Sequence, residues 1–175
     1  MKLAIERSTP KQTLLLGDSF HTVKGADELP EHHLDTLFHL ARQTEFLWIE
    51  GNHDPMLPSH LPGQTAHVMS MNNLLFSHQP QFSSELPEQL LAGQIIGHYH
   101  PKSRLRLKAR TYSAKCFFYD DRLMILPAFG SFTGGLNILH PEIQLLASTN
   151  QQIILLKPPA LYHYPVDRRV FVSSP

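Results

Sequence analysis

The most informative part of this sequence is a short apolar run that leads into polar side chains, Trp48-Ile49-Glu50-Gly51-Asn52-His53-Asp54-Pro55. Residues 46–49 predict a buried strand, which the glycine ends. Open α/β sheets place their chemistry at the carboxyl ends of their strands, where Asn52, His53 and Asp54 would stand. An amide oxygen and a carboxylate suit a hard cation, and an imidazole can transfer a proton near neutral pH. The alternative is a polar turn whose side chains satisfy backbone groups.

The same pattern recurs along the chain. Four apolar runs lead into candidate metal ligands, which are Asp18, Asn52 with His53, His78, and His98 with His100. One histidine after an apolar strand is usually an ordinary structural residue, but the recurrence favours a metal site. Carboxylate, amide and imidazole ligands on one sheet edge would form a mixed oxygen and nitrogen site for divalent cations. A bridging carboxylate such as Asp18 would hold two ions about 3.5–4 Å apart, which serves phosphoester hydrolysis.

Composition excludes several classes of protein. The 175 residues predict one domain, and 15 basic against 15 acidic residues leave no net charge that would indicate a partner. The single cysteine, Cys116, excludes an internal disulfide and a cysteine-based zinc site, and its apolar neighbours favour a small buried residue over a nucleophile. No run reaches transmembrane length and no signal peptide is recognisable, so we expect a cytoplasmic protein that does not bind membranes.

The other segments predict the remaining organisation. Apolar residues at helical spacing over 31–44, between the strands at 13–16 and 46–49, predict strand, helix, strand and hence a parallel sheet. The sequence also predicts strands at 66–69, 73–76, 94–96 and 152–156, a hairpin of 116–119 with 122–126 and a helix at 86–91. The glycine-rich loop at 129–135 can bring its backbone close to another segment. We expect a loose or extended lead-in over 1–12, a domain over 1–156 and a Pro-rich, partly disordered tail over 157–175.

The motifs resemble a known superfamily. Four short segments resemble the successive motifs of calcineurin-like metallophosphoesterases. In chain order they are Gly17-Asp18, Gly51-Asn52-His53-Asp54, Ser77-His78 and Gly97-His98-Tyr99-His100. More narrowly, three segments resemble the bacterial ligase-associated DNA-damage-response endonucleases. They are Gly17-Asp18-Ser19-Phe20-His21, Gly97-His98-Tyr99-His100-Pro101 and residues 126–135. The similarity covers about residues 13–156. It implies an α/β fold, the calcineurin-like metallophosphoesterase β-sandwich of two mixed sheets flanked by helices, lacking its first strand and helix.

The resemblance also implies a role for each motif residue. Asp18 would bridge two metal ions, with the second ion completed by Asn52, His78 and His98, and with His100 on the first ion. His53 would be the general acid that protonates the leaving oxygen, and Asp54 would orient it. His21 is either a residue beside the ligands, a substrate contact or an ordinary surface histidine. The expected cofactor is a divalent metal, manganese first, with iron, zinc and magnesium as alternatives.

One motif of the family is missing. Its members begin with a strand that ends in Asp-x-His, two ligands of the first metal, and no such pair precedes Asp18. The first ion would keep Asp18 and His100 alone, so we expect weak or absent hydrolysis from this chain. A start codon assigned too late, a genuine truncation and a degenerate, inactive descendant are three explanations. The missing strand would also expose sheet edges or apolar surface.

A basic pattern follows the last histidine motif. Basic side chains alternate with apolar ones over residues 103–110, at Arg104, Arg106, Lys108 and Arg110. On one straight strand they would share a face at intervals of about 6.6 Å. That face could hold the backbone of a polyanionic substrate, without reading its bases. The alternative is an exposed strand whose charges prevent edge pairing.

Together these features predict a metal-dependent hydrolase of phosphodiesters in a DNA-repair setting. Its substrate would be DNA or RNA, and the family resemblance suggests repair ligases or helicases as partners. One alternative is hydrolysis of a small phosphoester or cyclic nucleotide. The other is a non-catalytic binding module with the same fold, which the missing Asp-x-His favours.

Overall fold

The fold is taken from a computed structural model that describes residues 1–20, 22, 24–82, 93–107, 110–130 and 133–172. The chain divides into two compact units. The first contains Met1–Met69 and Phe76–Gln79, and the second contains Ser70–Leu75 and Pro80–Pro175. Among the described residues no helix is long and apolar enough to cross a membrane.

The first unit contains a three-stranded sheet and two helices. Its elements in chain order are α1 (Lys2–Ser8), β1 (Gln12–Leu16), α2 (Glu31–Ala41), β2 (Glu45–Ile49) and β3 (Gln64–Ala66). The strands lie side by side in the order β1-β2-β3, and both pairings are parallel. The parallel sheet predicted from strand, helix and strand is therefore confirmed. Because the pairing is parallel, the carboxyl ends of β1 and β2 lie at the same edge.

The core of the first unit lies between the sheet and its helices. Leu37 and Leu40 of α2 pack with Phe46 and Trp48 of β2, as the helical spacing of the apolar residues predicts. The prediction of a loose or extended lead-in over residues 1–12 is wrong where the chain forms α1. Ile5 of that helix is 3% exposed and joins the same core, and this burial stabilises a helix whose sequence has little amphipathic pattern.

The other eight strands of the described residues form a second sheet. The elements are β4 (Val68–Met71), β5 (Leu74–Ser77), β6 (Gln94–Ile96), β7 (Lys102–Leu107), β8 (Arg110–Tyr119), β9 (Leu123–Ile125), α3 (Pro141–Leu146), β10 (Gln152–Lys157) and β11 (Ala160–Pro165). The order is β11-β10-β8-β9-β6-β5-β4, and β7 pairs with β8. This sheet is mixed, because β6 and β9 are parallel whereas β8 is antiparallel to β7, β9 and β10. The α/β fold with two sheets is as predicted, except that the smaller sheet is wholly parallel.

The core of the second unit is built from alternate residues of its strands. Cys116 and Phe118 of β8, Ile125 of β9 and Ile153 of β10 are completely buried, and Ile143 of α3 covers them. The predicted hairpin is confirmed, since Phe118 pairs with Ile125. Burial raises the pKa of the Cys116 thiol to about 12, against weaker opposing hydrogen bonds from Ser103. This cysteine is a buried core residue, as expected, and not an exposed nucleophile.

The basic strand predicted over residues 103–110 is two strands. β7 ends at Leu107 and β8 begins at Arg110, so the chain reverses between them. Arg110 pairs with Leu107, and it therefore lies on the opposite face of the hairpin from Arg104 and Arg106. The prediction that one face carries all four basic residues is wrong for Arg110, and Lys108 lies outside the described residues.

Two other predictions concern the ends of the second unit. Residues 157–175, expected to form a partly disordered tail, contain β11, which pairs with β10 along its length. Beyond it Phe171 is 3% exposed and bridges Leu105 of β7, so apolar burial orders the chain there. The helix expected over residues 86–91 lies outside the described part of the chain.

Candidate metal centre

Asp18 lies in the turn that follows β1 in the first unit. Gly17 and Asp18 both have left-handed backbones, with φ of 75° and 49°. A Cβ on Gly17 would come within 2.5 Å of Nδ1 of His78. Glycine is therefore required by conformation and by space. Left-handed φ at Asp18 is uncommon for a residue with a side chain, and such strain is typical of functional sites.

The Asp54 carboxylate joins the turns after β1 and β2. It is 2% exposed and accepts four backbone hydrogen bonds. Its Oδ1 accepts from Gly51 at 3.0 Å and Asp18 at 2.9 Å, and its Oδ2 accepts from Ser19 at 2.7 Å and Phe20 at 3.2 Å. A carboxylate has about four acceptor positions, so these bonds use its full capacity. Asp54 therefore fixes the turn that carries Asp18, and its expected role of orienting His53 stays a prediction.

Three potential ligand atoms converge in this unit. Nε2 of His78 lies 2.9 Å from Oδ1 of Asn52 and 3.2 Å from Oδ2 of Asp18. Oδ1 of Asp18 accepts a hydrogen bond of 2.9 Å from the backbone N–H of His53. The side chain of His78 is 4% exposed and that of Asp18 13%, so both are well shielded from water. Asp18 and His78 belong to a group of side chains that can hold a metal ion.

The hydrogen bond on the far side of the His78 ring sets its chemistry. Nδ1 lies 2.8 Å from the carbonyl oxygen of Leu16, which can only accept, so Nδ1 carries a proton. In the neutral ring Nε2 then presents a lone pair toward Asn52 Oδ1 and Asp18 Oδ2. Three acceptors facing one another are unfavourable unless a proton or a cation lies among them. Metal-binding histidines generally have their other ring nitrogen bonded to a carbonyl in this way, so the donor set fits a divalent cation.

His98 and His100 lie in the second unit, after β6. Both have left-handed backbones, with φ of 49° and 47°. They line a cavity together with Tyr99, Gly135, Leu136 and Glu142. Burial, and then the Glu142 charge, raise the pKa of Tyr99. The predicted close approach of the glycine loop is confirmed, because a Cβ on Gly135 would overlap the carbonyl oxygen of His100.

The remaining predicted residues lie elsewhere. Arg104 and Arg106 are on β7, and His21 lies outside the described residues. Sequence reasoning missed one contributor to the centre, the carbonyl of Leu16, which has no signature because any residue supplies one. In the second unit it also missed the bonds from Lys115 Nζ to the carbonyls of Ala128 and Gly130, because these partners lie 13 and 15 residues away along the chain.

Comparison with known proteins identifies the fold. No protein-family model and no curated protein matches the chain. Among solved structures, the crystal structure of Pseudomonas putida nuclease MPE matches with a TM-score of 0.64 and 24% sequence identity. The match covers 88% of this chain and 71% of that one. This chain therefore shares the two-sheet α/β fold of that structure, which confirms the predicted fold class.

Proposed function

We propose that this chain is a metal-dependent phosphodiesterase that acts on nucleic acid. The observation that carries the proposal is the convergence of Asn52, Asp18 and His78, with the His78 tautomer fixed by Leu16. A carboxylate, an amide oxygen and an imidazole suit manganese, iron, zinc or magnesium, and manganese is our first choice. A bound divalent cation would polarise a phosphoryl oxygen and supply hydroxide near neutral pH.

The residues of the chain then have defined tasks. Asp18, Asn52 and His78 hold the cation, and Asp54 keeps the Asp18 turn in place. His53 is exposed, and its backbone N–H is bonded to Asp18, so its ring can protonate the leaving oxygen of a phosphodiester. The family resemblance implies a metal-binding role for His98 and His100 of the second unit as well.

Two features favour nucleic acid as the substrate. The solved structure with the same fold is a nuclease. Lys102, Arg104 and Arg106 alternate along β7 on one face, a spacing that suits contacts with successive phosphates. We further propose a place in DNA repair beside ligases or helicases and a cytoplasmic location, both from the motif resemblance and the sequence composition.

Hydrolysis of an aryl phosphodiester with added manganese tests the proposal. We expect cleavage that depends on manganese and falls at least tenfold in the variant His53→Ala, since general acids contribute about 10²–10⁴-fold. His67→Ala is the matched control, because this histidine is an exposed one that pairs with Glu50. Absence of manganese-dependent cleavage, or full activity without His53, would contradict the proposal and favour the non-catalytic binding module.

Charge reversal on β7 separates nucleic acid from a small ester. We expect Arg104→Glu and Arg106→Glu to lower cleavage of DNA far more than cleavage of the aryl ester. Arg110→Glu is the control, because Arg110 lies on the other face of the same hairpin. Equal losses on both substrates would support the small-molecule alternative.

A further inference from the structure

Phe129 is a strongly exposed aromatic residue of the second unit. It follows Ala128 in the loop after β9, and 82% of its surface is accessible. Single exposed apolar side chains are ordinary in proteins, so the exposure carries no argument by itself. The surroundings of the loop are less ordinary.

One lysine holds the backbone on both sides of the ring. Lys115 lies on β8, and its Nζ donates a hydrogen bond of 2.9 Å to the carbonyl of Ala128 and another to the carbonyl of Gly130. Hydrogen bonds from a charged donor are stronger than neutral ones, so two of them restrain the loop. The Phe129 ring is thus presented to solvent from a fixed backbone.

The same lysine connects the loop with the basic face of β7. Lys115 pairs with Lys102 across the hairpin, so it lies on the same face as Arg104 and Arg106. Proteins that bind single strands of nucleic acid combine cations along the phosphate backbone with aromatic rings on which bases stack. This face and Phe129 supply both components within one unit.

We propose that Phe129 stacks on an unpaired base of a bound nucleic acid strand and that Lys115 is the residue that positions it. The proposal rests on the proposed function, which makes such a strand the substrate. A ring that is fixed before binding loses little conformational freedom on stacking, and this favours affinity. Phosphate contacts and base stacking would be separate contributions, so each can be removed alone.

Binding of two labelled strands tests the idea, measured by fluorescence anisotropy without manganese so that neither strand is cut. One strand is an oligothymidine, and the other is an abasic deoxyribose phosphate strand of equal length. We expect Phe129→Ala to weaken binding of the oligothymidine about tenfold and to leave the abasic strand unaffected. Phe129→Trp should bind the oligothymidine more tightly than the abasic strand, as the wild type does, because tryptophan keeps an aromatic ring. Lys115→Met should reduce the preference for bases, and Phe38→Ala, an exposed aromatic on α2, should change neither affinity.

An unchanged preference for bases in Phe129→Ala would overturn the inference, and so would a wild-type chain that binds neither strand. Equal losses of affinity for both strands would also contradict it, because they would show that the substitution disturbs the surface in general and does not remove base stacking. The manganese assay on the aryl ester separates the two proposals. If the chain does not hydrolyse the ester but its preference for bases depends on Phe129, the proposed function is contradicted and the stacking role of Phe129 stands.

Discussion

At the scale of the residue, Asp54 shows how one buried carboxylate can organise a site by fixing the backbone turn that carries a candidate ligand. Its four hydrogen bonds come from Gly51 on one turn and from Asp18 to Phe20 on the other. The family resemblance implies that Asp54 orients the neighbouring His53, which stays a prediction, and the sequence gives no sign of the bonds to the Asp18 turn. A motif shows which residues adjoin along the chain, whereas these bonds join residues up to 36 apart.

The variant Asp54→Asn measures this role. One amide oxygen can replace a carboxylate oxygen, but the NH₂ group would face the N–H groups of Ser19 and Phe20. We expect unfolding free energy to fall by about 3 kcal/mol, from lost charged hydrogen bonds and unpaired buried donors. Urea denaturation gives the value, and Asp35→Asn on the exposed face of α2 is the control. Equal stability of the two variants would show that Asp54 is not a structural acceptor.

At the scale of the element, the strands and the helix α2 could be predicted from the sequence because apolar periodicity dictates them. The reversal of the chain between β7 and β8 could not be predicted, since strict alternation of basic and apolar residues is equally compatible with one long strand. The position of Arg110 depends on where the chain turns, and residues 103–110 contain no glycine or proline to mark a turn. The helix α1 was missed because its stability depends on a tertiary contact of Ile5.

The glycine loop offers a matched pair of variants. A Cβ on Gly135 would overlap the carbonyl of His100, and its φ is 150°, whereas a Cβ on Gly134 would meet nothing within 4 Å. We therefore expect Gly135→Ala to lower stability by about 1–3 kcal/mol through strain and displacement of the His100 backbone. Gly134→Ala should be near neutral. Thermal unfolding of both proteins checks this, and a reversed order of stability would contradict the loop geometry.

At the scale of the whole molecule, the sequence predicts the fold class and most candidate ligands, because ligands of this kind follow strand ends. It does not predict the division into two compact units, with Asp18, Asn52 and His78 in the first and His98 and His100 in the second. Such a division depends on contacts between distant segments, which periodicity does not report. That His98 and His100 complete the metal centre stays a prediction.

The thiol of Cys116 reports on the second unit as a whole. It is completely buried and its pKa is raised from 9.0 to about 12, so alkylation of the folded protein should be slow and should follow opening of this unit. The folded state keeps a proton that the unfolded state releases above about pH 9, and stability should therefore fall as pH rises from 9 toward 12. Iodoacetamide labelling with and without urea tests this. Rapid labelling of the native protein would contradict the buried position.

Calorimetric titration of manganese into the wild-type chain, His78→Ala and the control His67→Ala tests directly whether the candidate metal centre binds a cation. If the acceptors of Asp18, Asn52 and His78 converge on a cation, the wild type and the control should bind manganese in a saturable way. Removal of His78 should weaken that binding at least tenfold, because even residues that merely support a ligand contribute about 10–100-fold to metal affinity. Equal binding by His78→Ala, or no saturable binding by the wild type, would contradict the account.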